Sequence, residues 1–260
     1  MEGRIDQSFS QMFLIDSNFF KDKTSNSFNY DLLISKILET SANHDRCLND
    51  QLGAPFLPDD LTWIITQNMG QIIKVPDEGK YVVIETRVSK ANRFFVNRWF
   101  GIWQSSQLVM EFQIQFAALN LLTRRMATIP YQKLEVHCLV DKRLDQNFKR
   151  VLESDHLSLN NEENCQIGEE DIDNNQHVNN LVYIRWAFQA MDQLMHPDYQ
   201  LKQISIKYGH EILPDHQVKL LNYLDDSKKE ADHIVSVQTF LNQTTQEEAC
   251  RVVTKWCLAN

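Results

Sequence analysis

The sequence is poor in glycine. It has seven glycines in 260 residues, and none of them lies in a phosphate-binding or nucleophile motif. There is no GxSxG elbow, P-loop, GxGxxG fingerprint or HExxH pair. The pattern therefore gives no support to an α/β-type serine hydrolase, a nucleotide-binding enzyme or a zinc protease, and we expect no metal and no cofactor.

Positive charge is also scarce, because 26 Lys and Arg face 35 Asp and Glu and leave a net charge of −9. A chain of this sign is poorly suited to phosphate backbones or anionic lipid, so we expect no nucleic-acid and no membrane partner. No apolar run approaches the ~20 residues that a membrane-spanning helix requires, and residues 1–11 lack a signal-peptide pattern. These absences predict a cytoplasmic protein.

The five cysteines are odd in number and form no CxxC pair, which predicts reduced thiols rather than disulfides or structural zinc. They are Cys47, Cys138, Cys165, Cys250 and Cys257. Cys47 lies one helical turn from His44, but no further ligand cluster accompanies this pair. We therefore interpret both residues as packing residues.

The first half of the chain has a helical pattern between residues 30 and 52, preceded by a strand-like segment and followed by β-rich runs. Short turns separate these runs, and such turns indicate antiparallel hairpins. The predicted runs are residues 61–75, 80–90, 93–103 and 108–122. Strand, long helix and antiparallel meander predict an α+β unit whose sheet wraps one helix.

The second half repeats this pattern. A helical segment in which apolar residues step by three and four begins at Leu181 and ends before Pro197, and four more strand-like runs follow it. These runs are residues 201–208, 216–224, 233–242 and 248–259. We predict two tandem domains, at residues 1–140 and 161–260, joined by a connector at 141–160, where a short helix is possible around Leu144 to Leu152.

A polar run from Asp171 to Asn180 precedes the second helix. Asp173, Asn175 and His177 are two residues apart, so an extended backbone would project all three side chains from one face. The alternative is a turn followed by an N-cap, because Asp and Asn side chains readily bond to nearby backbone. A further carboxylate, Glu211, lies at the end of a predicted strand.

The segment DIDNNQHVNNLVYIRWAFQ at residues 171–189 resembles the signature of acyl-acyl-carrier-protein (acyl-ACP) thioesterases. Residues 63–67 with 87–89, and residues 206–211, are similar to further blocks of that family in the same order. The resemblance implies two tandem hotdog domains, each a long helix wrapped by an antiparallel sheet. It also implies hydrolysis of the fatty acyl thioester carried by acyl carrier protein.

The resemblance places the family's catalytic Asp, Asn and His on Asp173, Asn175 and His177, and its acidic partner on Glu211. Many plant members have a cysteine next to that glutamate, whereas this chain has Ile212. We therefore expect Glu211 to activate water or, as the second choice, to attack the thioester itself.

In this hypothesis Asp173 holds His177, and Asn175 bonds the substrate carbonyl or Glu211. The oxyanion would lie at the start of the second helix, where backbone N–H groups are unpaired. The candidate donors are the amides of Val178, Asn179 and Asn180.

By the same resemblance, the acyl tail would lie in the first domain, near the helix between Leu33 and Leu48 and the strands that begin at Trp63 and Tyr81. The aromatic residues of that region are interpreted first as core residues. They include Phe94, Phe95, Trp99 and Trp103.

The carrier is acidic as a class, so local basic residues would have to attract it to this acidic chain. The candidates are Arg124, Arg125, Lys142, Arg143, Lys149 and Arg150. Three alternatives stay open: an acyl-CoA thioesterase, an enoyl-thioester hydratase and a non-catalytic acyl-binding protein. The sequence permits either a monomer or a homodimer.

Overall fold

The structure is a computed structural model that describes residues 7–21, 28–148, 150–154, 157–196, 198–225 and 233–258. The chain forms two compact units. The first unit comprises Met1–Asp16 and Ser35–Phe148, and the second comprises Ser17–Ile34 and Lys149–Asn260. The division after Phe148 falls inside the connector expected at 141–160. The assignment of Ser17–Ile34 to the second unit differs from the continuous 1–140 domain expected from the sequence.

The first unit contains an antiparallel sheet in the order β1-β3-β4-β5-β2, with the short β6 paired to β5. The strands and helices are β1 (Ser8–Leu14), α1 (Tyr30–Leu52), β2 (Leu61–Ile72), β3 (Tyr81–Ala91), β4 (Phe95–Gln104), β5 (Gln107–Asn120), β6 (Met126–Ala127) and α2 (Gln132–Val136). Helix α1 ends where Gly53 takes a positive φ of 69°, a conformation that favours glycine.

The second unit contains an antiparallel sheet in the order β8-β11-β10-β9-β7. Its elements are β7 (Leu159–Cys165), α3 (Asn180–Leu194), β8 (Tyr199–Tyr208), β9 (Val218–Asp225), β10 (His233–Asn242) and β11 (Glu247–Leu258). Helix α3 packs on its sheet through ring contacts such as Phe188 with Trp256, whose centroids are 6.2 Å apart. Each unit therefore has the α+β architecture expected from the sequence.

Two local expectations are wrong. No α-helix forms around Leu144 to Leu152 in the described residues there, where a 3-10 turn at Lys142–Leu144 is followed by irregular chain. Phe94 is not a core residue, because 44% of its surface is exposed and its ring lies beside the guanidinium of Arg93. In the described residues, no helix is long and apolar enough to cross a bilayer.

The segment after α2 is tied to the first unit by hydrogen bonds and ion pairs. The Asp141 amide donates to the Val88 carbonyl at 2.8 Å, and the Asp141 carboxylate accepts from Arg87 at 3.2 Å. The Lys90 ammonium lies 2.9 Å from the Asp145 carboxylate. The first part of the predicted connector is thus packed along β3.

Candidate active site

The loop ahead of α3 is a tight turn. Ile172 and Val178 form an antiparallel bridge, and the Asp173 amide donates to the His177 carbonyl at 2.9 Å. Gln176 takes a positive φ of 65°, and its amide donates to the Asp173 carbonyl at 3.0 Å. Of the two alternatives for residues 173–177, an extended backbone or a turn followed by an N-cap, the structure has the turn.

The Asp173 carboxylate explains why the loop turns. It accepts from the backbone amides of Asn175, at 2.8 Å, and of His177, at 3.2 Å. This is the local side-chain to backbone bonding that competes with extended structure. Asp173 consequently holds the backbone of His177 and not its ring. Asn175 is exposed on the turn, and its side chain makes no hydrogen bond within the described part of the chain.

The ring of His177 meets Glu211. His177 Nε2 lies 3.1 Å from Glu211 Oε2, and the two side chains are 17% and 49% exposed. The other ring nitrogen, Nδ1, is buried and has no hydrogen-bond partner among the described residues. Nε2 is therefore the ring nitrogen that is placed to donate a hydrogen bond to the Glu211 carboxylate. Glu211 thus keeps carboxylate surface exposed to water.

Asp171 and Arg185 hold the loop against α3, although neither was among the predicted site residues. Asp171 is 2% exposed, forms an ion pair with Arg185, and accepts from the Gly168 amide at 3.0 Å. Its carbonyl accepts from the Asn179 amide at 2.8 Å. The available signal was a single arginine in the apolar segment 181–191, because a charge on such a helix requires an opposite charge.

The first amides of α3 are only partly available as oxyanion donors. The Val178 amide donates to the Ile212 carbonyl at 2.9 Å, and the Asn179 amide is bonded to Asp171 as described. The prediction is therefore wrong for these two donors in this conformation. Asn179 instead caps α3, because its side chain accepts from the Leu181 amide at 2.9 Å. The Asn180 amide has no hydrogen-bond partner in the described residues and stays a candidate.

Neither Ile212 nor the thiols of Cys165 and Cys250 supplies a reactive sulfur. Ile212 is fully buried, so its side chain only packs. Burial raises the pKa of Cys165 to about 12, with a smaller contribution from Glu163, and burial also raises the pKa of Cys250 well above its usual range. A thiolate is the reactive form of cysteine, and these environments disfavour it.

The first unit contains an apolar cavity. Its lining includes Leu48 and Leu52 of α1, Val88 and Val96 of the sheet, and Leu134 of α2. The space inside it is about 20 Å³, enough for a single water molecule, so the lining side chains nearly fill the cavity. The cavity lies where the sequence analysis placed the acyl tail, although Phe94, Phe95, Trp99 and Trp103 do not line it.

Comparison with known families identifies both halves. Residues 7–136 match the model of the acyl-ACP thioesterase N-terminal domain, and residues 154–258 match that of the acyl-ACP thioesterase C-terminal domain. The chain belongs to the acyl-ACP thioesterase family. The His177–Glu211 pair lies in the part that the C-terminal model matches, and the apolar cavity lies in the part that the N-terminal model matches.

Two plant relatives match most of the chain. It is 26% identical over 235 residues to a chloroplastic acyl-[acyl-carrier-protein] hydrolase from Cuphea viscosissima, covering 85% of this chain and 56% of the relative. It is 25% identical over 236 residues to a chloroplastic palmitoyl-acyl carrier protein thioesterase from Gossypium hirsutum, with the same coverage of 85% and 56%. The chain spans about half the length of the curated relatives it matches.

Solved structures show the same fold. The 12:0-ACP thioesterase from Umbellularia californica superposes with a TM-score of 0.77 at 18% identity, covering 98% of both chains. An acyl-ACP thioesterase from Bacteroides thetaiotaomicron gives a TM-score of 0.71 at 16% identity, covering 96% of this chain and 98% of the other. The prediction of a tandem hotdog fold is confirmed.

Proposed function

We propose that this chain hydrolyses the thioester of fatty acyl-ACP and releases free fatty acid. The observation that carries the proposal is the 3.1 Å contact between His177 Nε2 and Glu211 Oε2 in the family's C-terminal domain. The relatives named above as acyl-carrier-protein hydrolases support the same reaction. A thioester is already an activated acyl group, so the reaction requires a positioned water and a proton shuttle rather than a cofactor.

In the proposed mechanism, the Glu211 carboxylate removes a proton from water as the water oxygen attacks the thioester carbonyl carbon. His177 orients this carboxylate by donating its Nε2 proton to it. The carbon–sulfur bond then breaks, and the leaving sulfur takes the proton that Glu211 received. General-base assistance of this kind contributes ~10²–10⁴-fold to the rate.

The Asn180 amide is the proposed donor to the oxyanion. It lies in the first turn of α3, where N–H groups are unpaired and the helix dipole is positive. A single donor of this kind is worth roughly 10²–10³-fold in kcat when it is aimed at the developing charge. Asp173 is proposed to act through His177 and not on the substrate, because its carboxylate orders the turn that positions His177.

The test is hydrolysis of acyl-ACP, followed by release of both free thiol and free fatty acid. We expect Glu211→Gln and His177→Ala to lower kcat by ~10²–10⁴-fold. His210→Ala is the matched control, since this neighbouring histidine is 62% exposed and lies 3.5 Å from Glu247. Near-normal turnover in both site variants, with folding intact, would refute the mechanism.

The same assay separates the alternatives. A hydratase would consume an enoyl thioester without releasing thiol, and a non-catalytic binder would release nothing. An acyl-CoA thioesterase would hydrolyse acyl-CoA with a kcat/KM at least equal to that for acyl-ACP. A cytoplasmic location stays a prediction, and the plant relatives named above are chloroplastic.

The carrier is proposed to contact the turn between β5 and β6. Leu122 is 88% exposed there, and the exposed residues Arg124 and Arg125 follow it. Exposed apolar surface beside positive charge suits an acidic protein partner. Arg143 forms an ion pair with Asp141, and Arg150 forms one with Glu153. Among the other candidates, Lys142 is exposed, and Lys149 lies outside the described residues.

Charge reversal tests this surface. Arg124→Glu with Arg125→Glu should raise KM for acyl-ACP about tenfold and leave KM for acyl-CoA unchanged, because only the first substrate carries the acidic protein. Arg150→Glu serves as the control, since Glu153 lies 2.5 Å from its guanidinium. An equal effect on both substrates would contradict the assignment.

A further inference from the structure

Glu211 lies on the irregular segment that joins β8 to β9, and contacts on both sides of it hold this segment. At the β8 end, the Gly209 amide donates to the Ala249 carbonyl at 2.8 Å. Next to Glu211, the Ile212 carbonyl accepts from the Val178 amide at 2.9 Å. Irregular segments are more mobile than strands, so a catalytic group on one of them depends on contacts of this kind.

His216 holds the β9 end of the same segment. Its amide donates to the Leu213 carbonyl at 3.1 Å, and the Leu213 amide donates to His216 Nδ1 at 3.2 Å. The Asn242 side-chain nitrogen lies 2.8 Å from the same Nδ1. Asn242 is fully buried at the end of β10, so the imidazole joins the segment that carries Glu211 to the sheet.

The hydrogen bonds of Asn242 fix the tautomer of His216. The Asn242 oxygen, Oδ1, accepts from the Thr244 amide at 3.0 Å and from the Thr245 amide at 3.3 Å. Its NH₂ group therefore faces His216, and an NH₂ group can only donate. Both groups at His216 Nδ1 are thus donors, so Nδ1 must be the acceptor and the neutral ring carries its proton on Nε2.

The contact is specific to one of two histidines on this segment. The ring of His210, which precedes Glu211, is 62% exposed and lies 3.5 Å from the Glu247 carboxylate. The ring of His216 is instead partly buried and bonds one backbone amide and one buried side chain. Loss of His216 would leave a donor of Asn242 without its acceptor, whereas loss of His210 affects only an exposed pair.

We propose that His216 is a positioning residue for Glu211. Its unprotonated Nδ1 ties the segment to β10, and this tie keeps the Glu211 carboxylate within reach of His177 Nε2. His216 acts through Glu211 and not on the substrate, so its loss should lower kcat and leave KM little changed. The inference rests on the proposed function, because it takes Glu211 as the general base of that reaction.

The test compares kcat and KM for acyl-ACP in three variants of His216. His216→Ala removes the acceptor and should lower kcat by ~10²-fold, the cost of misplacing a catalytic group by about 1 Å. His216→Asn should restore kcat to near the wild-type value, because its side-chain oxygen takes the place of Nδ1. His216→Gln is the matched polar variant, and it should stay impaired because its oxygen lies near the position of Nε2. Equal kcat in the Asn and Gln variants would overturn the proposal.

Asn242→Asp reverses the roles at Nδ1. The carboxylate can still accept from the Thr244 and Thr245 amides, but it offers His216 an acceptor in place of a donor. We expect the imidazole proton to move to Nδ1 and kcat to fall, since the Leu213 amide then loses its acceptor. The ¹⁵N NMR signals of the His216 ring distinguish the two tautomers. A wild-type ring that carries its proton on Nδ1 would contradict the proposal.

Hydrogen exchange at the Val178 amide provides a readout that does not require hydrolysis. This amide bonds the segment beside Glu211 and lies next to His177, so His216→Ala should reduce its protection from exchange, and His210→Ala should not. If the wild-type chain hydrolyses no acyl carrier, the proposed function fails while exchange still decides whether His216 holds the segment. If hydrolysis occurs and His216→Ala has wild-type kcat, His216 does not position Glu211 and the proposed function stands.

Discussion

The interiors of the two units differ, although both units place a helix against an antiparallel sheet. Helix α3 carries three buried aromatic residues, Tyr183, Trp186 and Phe188. The first two meet Phe240 of β10 at centroid distances of 5.3 and 6.0 Å. The part of α1 that belongs to the first unit, from Ser35 onward, has no Phe, Tyr or Trp, and a cavity remains between it and the sheet.

The difference in aromatic packing gives the two copies of the fold different interiors. Large rings fill the second unit, and such packing resists local movement of the helix that follows the His177 turn. The side chains of α1 are smaller, and a narrow apolar cavity of about 20 Å³ lies beside them in the first unit. Each CH₂ group buried in such surroundings is favourable by ~0.8 kcal/mol. The two copies of the fold therefore differ in how completely aromatic rings fill the space between helix and sheet.

Removing a ring from each interior should show the largest difference between them. We expect Phe240→Ala to lower the free energy of unfolding by about 3 to 5 kcal/mol, because Phe240 is fully buried among aromatic rings. Phe116→Ala should cost less, about 2 kcal/mol, since Phe116 already borders the cavity and loses fewer contacts. Denaturant titration of both variants measures the two costs. Equal costs would contradict the difference in packing.

The ion pair between Asp171 and Arg185 holds the loop that carries His177 against α3, and its removal is the next prediction. Arg185→Met leaves a buried carboxylate without its cation, and we expect a loss of about 2 kcal/mol in stability, reduced because the Arg185 side chain is 33% exposed. We also expect kcat to fall with KM little changed, because the loop carries His177. Adding Asp171→Asn to Arg185→Met should restore part of the stability, because it removes the unpaired carboxylate. Lys21→Met is the control, since it breaks an exposed ion pair with Asp192.

A third change would make the first unit resemble the second. Val96 of β4 is buried and lines the cavity, which is only about 20 Å³, so Val96→Phe overfills it with a ring. We expect kcat/KM for the longest acyl-ACP to fall about tenfold relative to the shortest, because overpacking excludes the end of the chain. A loss that is equal at every chain length would show that the cavity does not hold the acyl tail.

Periodicity predicted most elements of both units because their apolar faces repeat with the period of a helix or a strand. It missed β7, Leu159–Cys165, whose first six residues are exposed, so that the strand carries no alternating apolar pattern. It also gave no sign that Ser17–Ile34 belongs to the second unit. Neither feature depends on apolar spacing, because one arises from backbone pairing and the other from long-range packing.

The residues of the candidate site could be named from the sequence, but the hydrogen bonds between them could not. The sequence places His177 and Glu211 far apart, and the family resemblance alone suggested that they act together. It could not show that Asp173 bonds the backbone of His177 instead of its ring, because the turn depends on φ at Gln176. It also could not show that the Val178 and Asn179 amides are occupied by acceptors elsewhere in the fold.

The smallest expected effect on stability concerns Asp141, whose backbone amide bonds to the cavity-lining residue Val88. The Arg143 guanidinium, with further hydrogen bonds from the Arg143 amide and from Arg87, holds the pKa of Asp141 at about 2. A carboxyl whose folded pKa lies below its unfolded value stabilises the fold above the unfolded pKa near 4, and this contribution is lost as pH falls toward 2.

Asp141→Asn should therefore lower the free energy of unfolding by about 1 kcal/mol at neutral pH, a value discounted because Arg143 is largely exposed. The difference between wild type and variant should shrink as pH falls from 4 to 2, which denaturant titration at several pH values measures. Glu153→Gln, at an exposed ion pair with Arg150, should show a smaller difference throughout. A gap that stays constant between pH 7 and pH 2 would contradict a contribution from the Asp141 charge.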